Sequence, residues 1–256
     1  MKIGVLTTCY NEELMLPYFL THYLQNGWDE IRVLLDRETT DRSFKICKQF
    51  PKVNVQPCGM TAGLHELEKV AILQGAYNEM CREGFDWIAI LDSDELIVPP
   101  GHRTLGMSPK AGLELIKDDC VMSAMFPVFR NVEDTDLDLS KSPLPQRLHG
   151  MEPRSNEIKP NVLRGIEGTK LTIGMHQLGQ DLKVSPHFFI GAHWADCDLS
   201  ISVARRLSRQ ARFSKDNWTN GWGVQHMGIS EYSIRQEAAE HLFDPIIPAL
   251  EQVVCK

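Results

Sequence analysis

The chain has 256 residues, 43% of them hydrophobic and 24% charged, and a formal net charge of -7. That length accommodates one large α/β domain or two small ones, with the composition of an ordinary soluble globular protein. The acidic balance, with a pI of about 5.7, excludes a dedicated nucleic-acid binder, which carries a basic excess.

Residues 2–8 form a short apolar, β-rich run, a buried strand by length and residue type. Residues 12–25 place Leu14, Leu16, Phe19, Leu20, Tyr23 and Leu24 largely on one helical face, and Asn26-Gly27 stops that helix. A second strand, 31–35, ends in Asp36. Residues 41–50 read as a second helix, with Asp41 as N-cap and Pro51 after its end. Residues 53–55 are a short third strand. Thr61 is placed to cap a long helix through Arg82, which Gly84 ends. Residues 87–91 form a fourth strand that runs directly into Asp92-Ser93-Asp94-Glu95. Strands alternating with helices predict an α/β fold with right-handed crossovers and a doubly wound, mostly parallel sheet flanked by helices.

The second half is less regular. Residues 109–117 read as a helix and 121–130 as a strand. Residues 131–157 form a long aperiodic loop carrying Glu133, Asp134, Asp136 and Asp138. Strand signals return near 161–164, 170–173 and 188–192. A helix over 199–213, a Trp/Gly-rich turn at 218–223 and a terminal helical segment complete the chain.

In an open parallel sheet, ligands bind beyond the carboxyl ends of the strands. The segments there are Thr7 to Glu12, Asp36 to Asp41 and Asp92 to Glu95, all polar. Two carboxylates two residues apart at a strand end can point into one cleft and hold a hard divalent cation such as Mg²⁺ or Mn²⁺. A solvated turn is the bland alternative. The apolar strand directly before Asp92 favours the site. No GxGxxG or P-loop follows the first strand, which removes support for a dinucleotide-dependent oxidoreductase, a P-loop kinase or a methyltransferase.

The stretches 10–23, 27–29, 35–41 and 86–95 together resemble the family-2-like glycosyltransferases with the A-type nucleotide-diphospho-sugar transferase fold, in the branch carrying a DxDE motif. The resemblance is good over residues 1–98, patchy to about 215 and absent beyond. It implies a metal-dependent transfer of sugar from a nucleotide donor, UDP-linked by default, to a saccharide or lipid-linked hydroxyl acceptor. By this resemblance Thr7, Tyr10 and Glu12 line the nucleoside pocket, and Asp36 hydrogen-bonds the base. Asp92 faces the ribose or a metal-bound water, and Asp94 binds Mn²⁺ or Mg²⁺. A further metal ligand is expected from His176 or His193, with His176 preferred because Lys159 to Arg164 resembles the stretch that precedes that histidine in the family. One domain over 1–256 is expected: a nucleotide-binding half (1–98), an acceptor and metal-completing half (99–215) and a C-terminal helical extension (216–256).

Lys69 is a candidate for facing the donor, and Lys159 and Arg164 for stabilising its phosphates; ordinary surface lysine and arginine are the competing readings. A general base is not singled out among Glu133, Asp134, Asp136, Asp138, Glu152, Asp181, Asp196 and Asp198. The basic run 205–212 reads as a solvated helix face in preference to a patch for an anionic acceptor or a peripheral membrane contact. Trp218, Trp222 and Tyr232 are either a sugar platform or packing residues. A nucleotidyltransferase of related fold and a catalytically silent nucleotide-sugar-binding protein are the rival functions.

Seven cysteines at irregular spacing, without a CxxC pair, fit a reducing compartment. With no signal-like start and no run approaching the roughly 20 apolar residues of a membrane span, a cytoplasmic protein is expected.

Overall fold

The computed structural model describes residues 1–60, 63–131, 133–223, 227–240, 244–246 and 253. Thr61, the expected helix cap, lies outside them. The first half alternates strand and helix as its periodicity requires. Its elements are β1 (Ile3–Cys9), α1 (Leu16–Gln25), β2 (Glu30–Asp36), α2 (Ser43–Cys47), β3 (Val53–Cys58), α3 (Glu66–Arg82) and β4 (Trp87–Ile90). The strands lie in the order β3-β2-β1-β4, all parallel. The long helix starts at Glu66, where the His65 side chain accepts from the Glu68 amide.

Alternation along these strands builds two cores. Ile3, Val5, Ile31, Val33, Trp87 and Ala89 pack towards α1, while Leu6, Leu34, Ile88 and Ile90 pack towards α3. Burial of Leu16, Phe19, Leu20 and Tyr23 of α1 stabilises the first layer by roughly 1.5–3 kcal/mol per side chain. Gly4 has the parity of the α3 face. A Cβ there would lie 2.4 Å from Met80 and 2.7 Å from Phe85, so only glycine lets α3 close on the sheet.

The second half continues as β5 (Glu95–Val98), α4 (His102–Leu105), α5 (Pro109–Glu114), β6 (Cys120–Phe129), β7 (His149–Gly150), β8 (Ile158–Arg164) and β9 (Val184–Asp196). It closes with α6 (Leu199–Ala211), α7 (Lys215–Asn220), α8 (Glu231–Glu240) and β10 (Asp244–Pro245). β8 is antiparallel to β4 and extends the sheet to β6, β7 and β10; β9 pairs parallel to β6 and antiparallel to β5. The parallel character is thus concentrated in the first half. The strand expected over 170–173 does not form: residues 170–172 are irregular and lead into a 3₁₀ turn, Ile173–Met175. Among the described residues no helix is long and apolar enough to cross a membrane.

Candidate functional site

The carboxyl ends of β1, β2 and β4 open into a cleft of about 730 Å³. Asn11, in the left-handed region at φ 51°, ties two of these ends together: its Oδ1 accepts from the Thr40 amide at 2.8 Å. Asp36 ends β2 with its carboxylate buried; one oxygen accepts from the Glu38 amide at 2.9 Å, and the other pairs with Arg212 at 2.5 Å. The Arg212 guanidinium also lies over the Tyr10 ring, 3.3 Å from its centroid.

After β4, Asp92 Oδ1 accepts from Lys69 Nζ at 2.9 Å, and its backbone amide donates to Glu95 Oε2 at 3.1 Å. Glu95 pairs in turn with the buried Lys159. The Lys69 ammonium holds the Asp92 carboxyl well below the usual carboxylate range. Asp94 is almost fully buried. Its Oδ2 accepts from Arg205 at 2.7 Å, and the same Arg205 nitrogen reaches Glu12 at 3.0 Å. Burial alone would raise the Asp94 carboxyl, but Arg205 and His193 beside it hold it well below its ordinary value. Burial raises Glu12 against the pull of Arg205.

Helix α1 secures the strand that leaves this turn. Tyr23 hydroxyl donates to the Glu95 carbonyl at 2.8 Å and accepts from the Ile97 amide at 3.0 Å, while His22 Nε2 lies 3.0 Å from the Ile97 carbonyl. Burial pushes His22 down to about 4, so it is neutral and donates to that carbonyl.

Asp94 Oδ1 is buried without a hydrogen-bond partner among the described residues, and His193 Nε2 is 3.7 Å away. Two donors at that separation can both reach one ion at the roughly 2.1 Å bond length of a small hard cation, which takes its remaining positions from water and phosphate oxygens. Asp94 and His193 therefore fit a divalent metal. His176 lines the same cleft. It turns its Nδ1 to the Asn156 carbonyl, and among the described residues no three His, Cys, Asp or Glu side chains gather as a metal site.

Tyr10, Glu12, Asp36, Lys69, Asp92, Asp94, Lys159, His176 and His193 all line the cleft. Two expected residues do not. Thr7 has the parity of Val5 and is wholly buried, its hydroxyl donating to the Thr8 carbonyl; Thr8, of the opposite parity, lines the cleft instead. Arg164 sits at the wrong end of β8. That strand runs antiparallel to β4, so Lys159 reaches the carboxyl end of β4 while Arg164 pairs with Trp87 at the amino end. There its guanidinium donates to the Ile116 and Asp118 carbonyls and stacks on Trp87.

Arg205 and Arg212 correct the reading of 205–212 as a solvated face: both enter the cleft. Their spacing with Arg209, which also lines it, is i, i+4, i+7, one side of a helix, and that was the available signal. Glu95, inside the DxDE stretch but given no role of its own, links the Asp92 amide to Lys159. Trp218, Trp222 and Tyr232 line none of the cleft, nor do the eight carboxylates considered as general bases.

No protein-family model matches the chain, and no curated protein matches it. Solved structures resemble it loosely. HddC from Yersinia pseudotuberculosis is 12% identical over 74% of this chain and 93% of its own, with a TM-score of 0.39. Glucosyl-3-phosphoglycerate synthase from Mycobacterium tuberculosis, in complex with Mn²⁺, UDP and phosphoglyceric acid, is 16% identical over 49% of this chain and 43% of its own, at 0.31. The 4-diphosphocytidyl-2C-methyl-D-erythritol synthase from Anaerococcus prevotii DSM 20548 is 13% identical over 64% of this chain and 71% of its own, at 0.32. Scores this low carry no functional weight. The chain is a mixed α/β protein with a charged cleft at its strand ends.

Proposed function

We propose that the protein transfers a glycosyl group from a nucleoside-diphosphate sugar, UDP-linked by default, to a hydroxyl group of a saccharide or lipid-linked acceptor. One observation carries this reading. Asp94, in the turn after the fourth parallel strand, presents a buried oxygen without a hydrogen bond, 3.7 Å from His193 Nε2, in the same cleft as Tyr10 and Asp36. Asp94 and His193 would hold Mn²⁺ or Mg²⁺, which supplies positive charge to the departing diphosphate.

The chain's own residues divide the remaining work. Asp36 offers an acceptor for the N–H groups of a base, beside the Tyr10 ring and the Arg212 guanidinium that lies over it. Asp92 is an ionised acceptor for a ribose hydroxyl, held in place by Lys69 and by the Glu95–Lys159 pair beneath it. Arg205 Nη1 is buried without a partner among the described residues, a spare donor in the cleft wall for an anionic oxygen.

Calorimetric titration of UDP and GDP, with and without Mn²⁺, tests the reading. Metal-dependent binding that Asp94→Ala abolishes is the expected result. Failure of both nucleotides to bind under every metal condition would overturn it.

A further inference from the structure

The two cleft histidines are held in opposite ways. His193 is turned to Asp94. His176 has Nδ1 2.7 Å from the Asn156 carbonyl oxygen. A carbonyl can only accept, so Nδ1 carries the hydrogen, and in the neutral ring Nε2 keeps its lone pair. Nε2 has no protein partner among the described residues, and His176 lines the cleft.

The turn before it is shaped around this ring. Gly174 and Met175 are both left-handed, at φ 63° and 53°. For a non-glycine residue such as Met175 that conformation is strained and persists only where its surroundings enforce it. Met175 is buried in the core beside α3. A Cβ on Gly174 would lie 2.6 Å from His176 Cδ2 and 2.7 Å from Nε2, so the imidazole occupies space that only glycine leaves open.

The competing bases in the cleft are already committed. Asp92, Asp94, Glu12 and Asp36 each face a lysine or arginine, Glu157 caps the Arg154 amide, and Glu66 lies beside Lys69. A carboxylate held below its ordinary range, as Asp92 and Asp94 are, is a weaker proton acceptor than a neutral imidazole of fixed tautomer, while Glu12, raised by burial, stays bonded to Arg205.

We propose that His176 Nε2 is the general base of the transfer. This rests on the glycosyl-transfer reading above. The acceptor hydroxyl gives its proton to Nε2 as its oxygen bonds the anomeric carbon. The bond from that carbon to the phosphate oxygen breaks, and the electron pair leaves with the nucleoside diphosphate. The displacement is single, so the anomeric configuration inverts.

Turnover of a panel of UDP- and GDP-sugars, with water or simple saccharides as acceptor, tests it in the full-length protein. His176→Ala should lower kcat by about 100-fold or more, the scale of a lost general base, and leave nucleotide and Mn²⁺ affinity unchanged. Gly174→Ala should lower kcat in the same direction by displacing the ring. His176→Gln, which fills the space without a basic nitrogen, should behave as His176→Ala while melting like the wild type. Proton NMR of the product should show inversion. Unchanged turnover in His176→Ala, loss of Mn²⁺ binding in that variant, or a retained configuration would each overturn the proposal and leave the transfer reading standing. Absence of turnover by the wild type with every donor would remove both.

Discussion

The two halves of the molecule bring opposite charges to one cleft. Glu12, Asp36, Asp92 and Asp94 come from the parallel half, at or just beyond the ends of its strands. Lys159, Arg205, Arg212 and both cleft histidines come from the second half, with Lys69 of α3 as an exception. In the parallel half a local rule suffices: a polar residue just after a buried strand faces the ligand edge. In the second half position depends on strand direction and helix docking, and four residues of β8 separate a cleft lysine from an arginine at the far edge.

The largest expected effect comes from unbalancing the charges between the halves. Arg205→Ala leaves Asp94 and Glu12 buried without their cation, which should cost about 3–5 kcal/mol in urea unfolding. A loss below about 1 kcal/mol would mean that the pairing contributes as little as an exposed ion pair, and the contrast would break.

The seam between the halves should respond to pH. His22 of α1, bonded to Ile97 of β5, is pushed down to about 4 by burial, against an ordinary value of 6.5. Between those values the unfolded chain binds a proton that the folded chain does not. Stability from this group is therefore complete above about pH 6.5 and is lost as pH falls towards 4, by about 3 kcal/mol in all. His102, the titratable group beside His22, acts in the same direction. Urea midpoints from pH 7 to 4 should fall less steeply in His22→Gln; equal slopes would place the titration elsewhere.

The smallest effect sharpens the comparison within one strand. Arg164→Ala should leave UDP affinity unchanged, because its guanidinium serves the Ile116–Asp118 turn at the opposite edge. Weaker nucleotide binding in that variant would show that the antiparallel register of β8 has been misjudged.

Much of the first half was legible along the chain. Short apolar, β-rich runs marked β1, β2 and β4, a helical face marked α1, and Asp92-Ser93-Asp94 stood out because it follows an apolar strand. Parity was harder to read: Thr7 and Thr8 are chemically alike, and only the packing of Ile3 and Val5 on α1 shows which one is buried. The charges of 205–212 were visible at helical spacing, but nothing local states that this face meets Glu12, Asp36 and Asp94 instead of water.

The sequence by itself determined where strands end and which acids follow them, because strand burial and termination are set by neighbouring residues. Tertiary structure decided which cations meet those acids, which histidine faces Asp94 and which turns to a carbonyl. Those choices depend on contacts between residues as far apart as Glu12 and Arg205, and on the direction of β8 against β4, which no local pattern encodes.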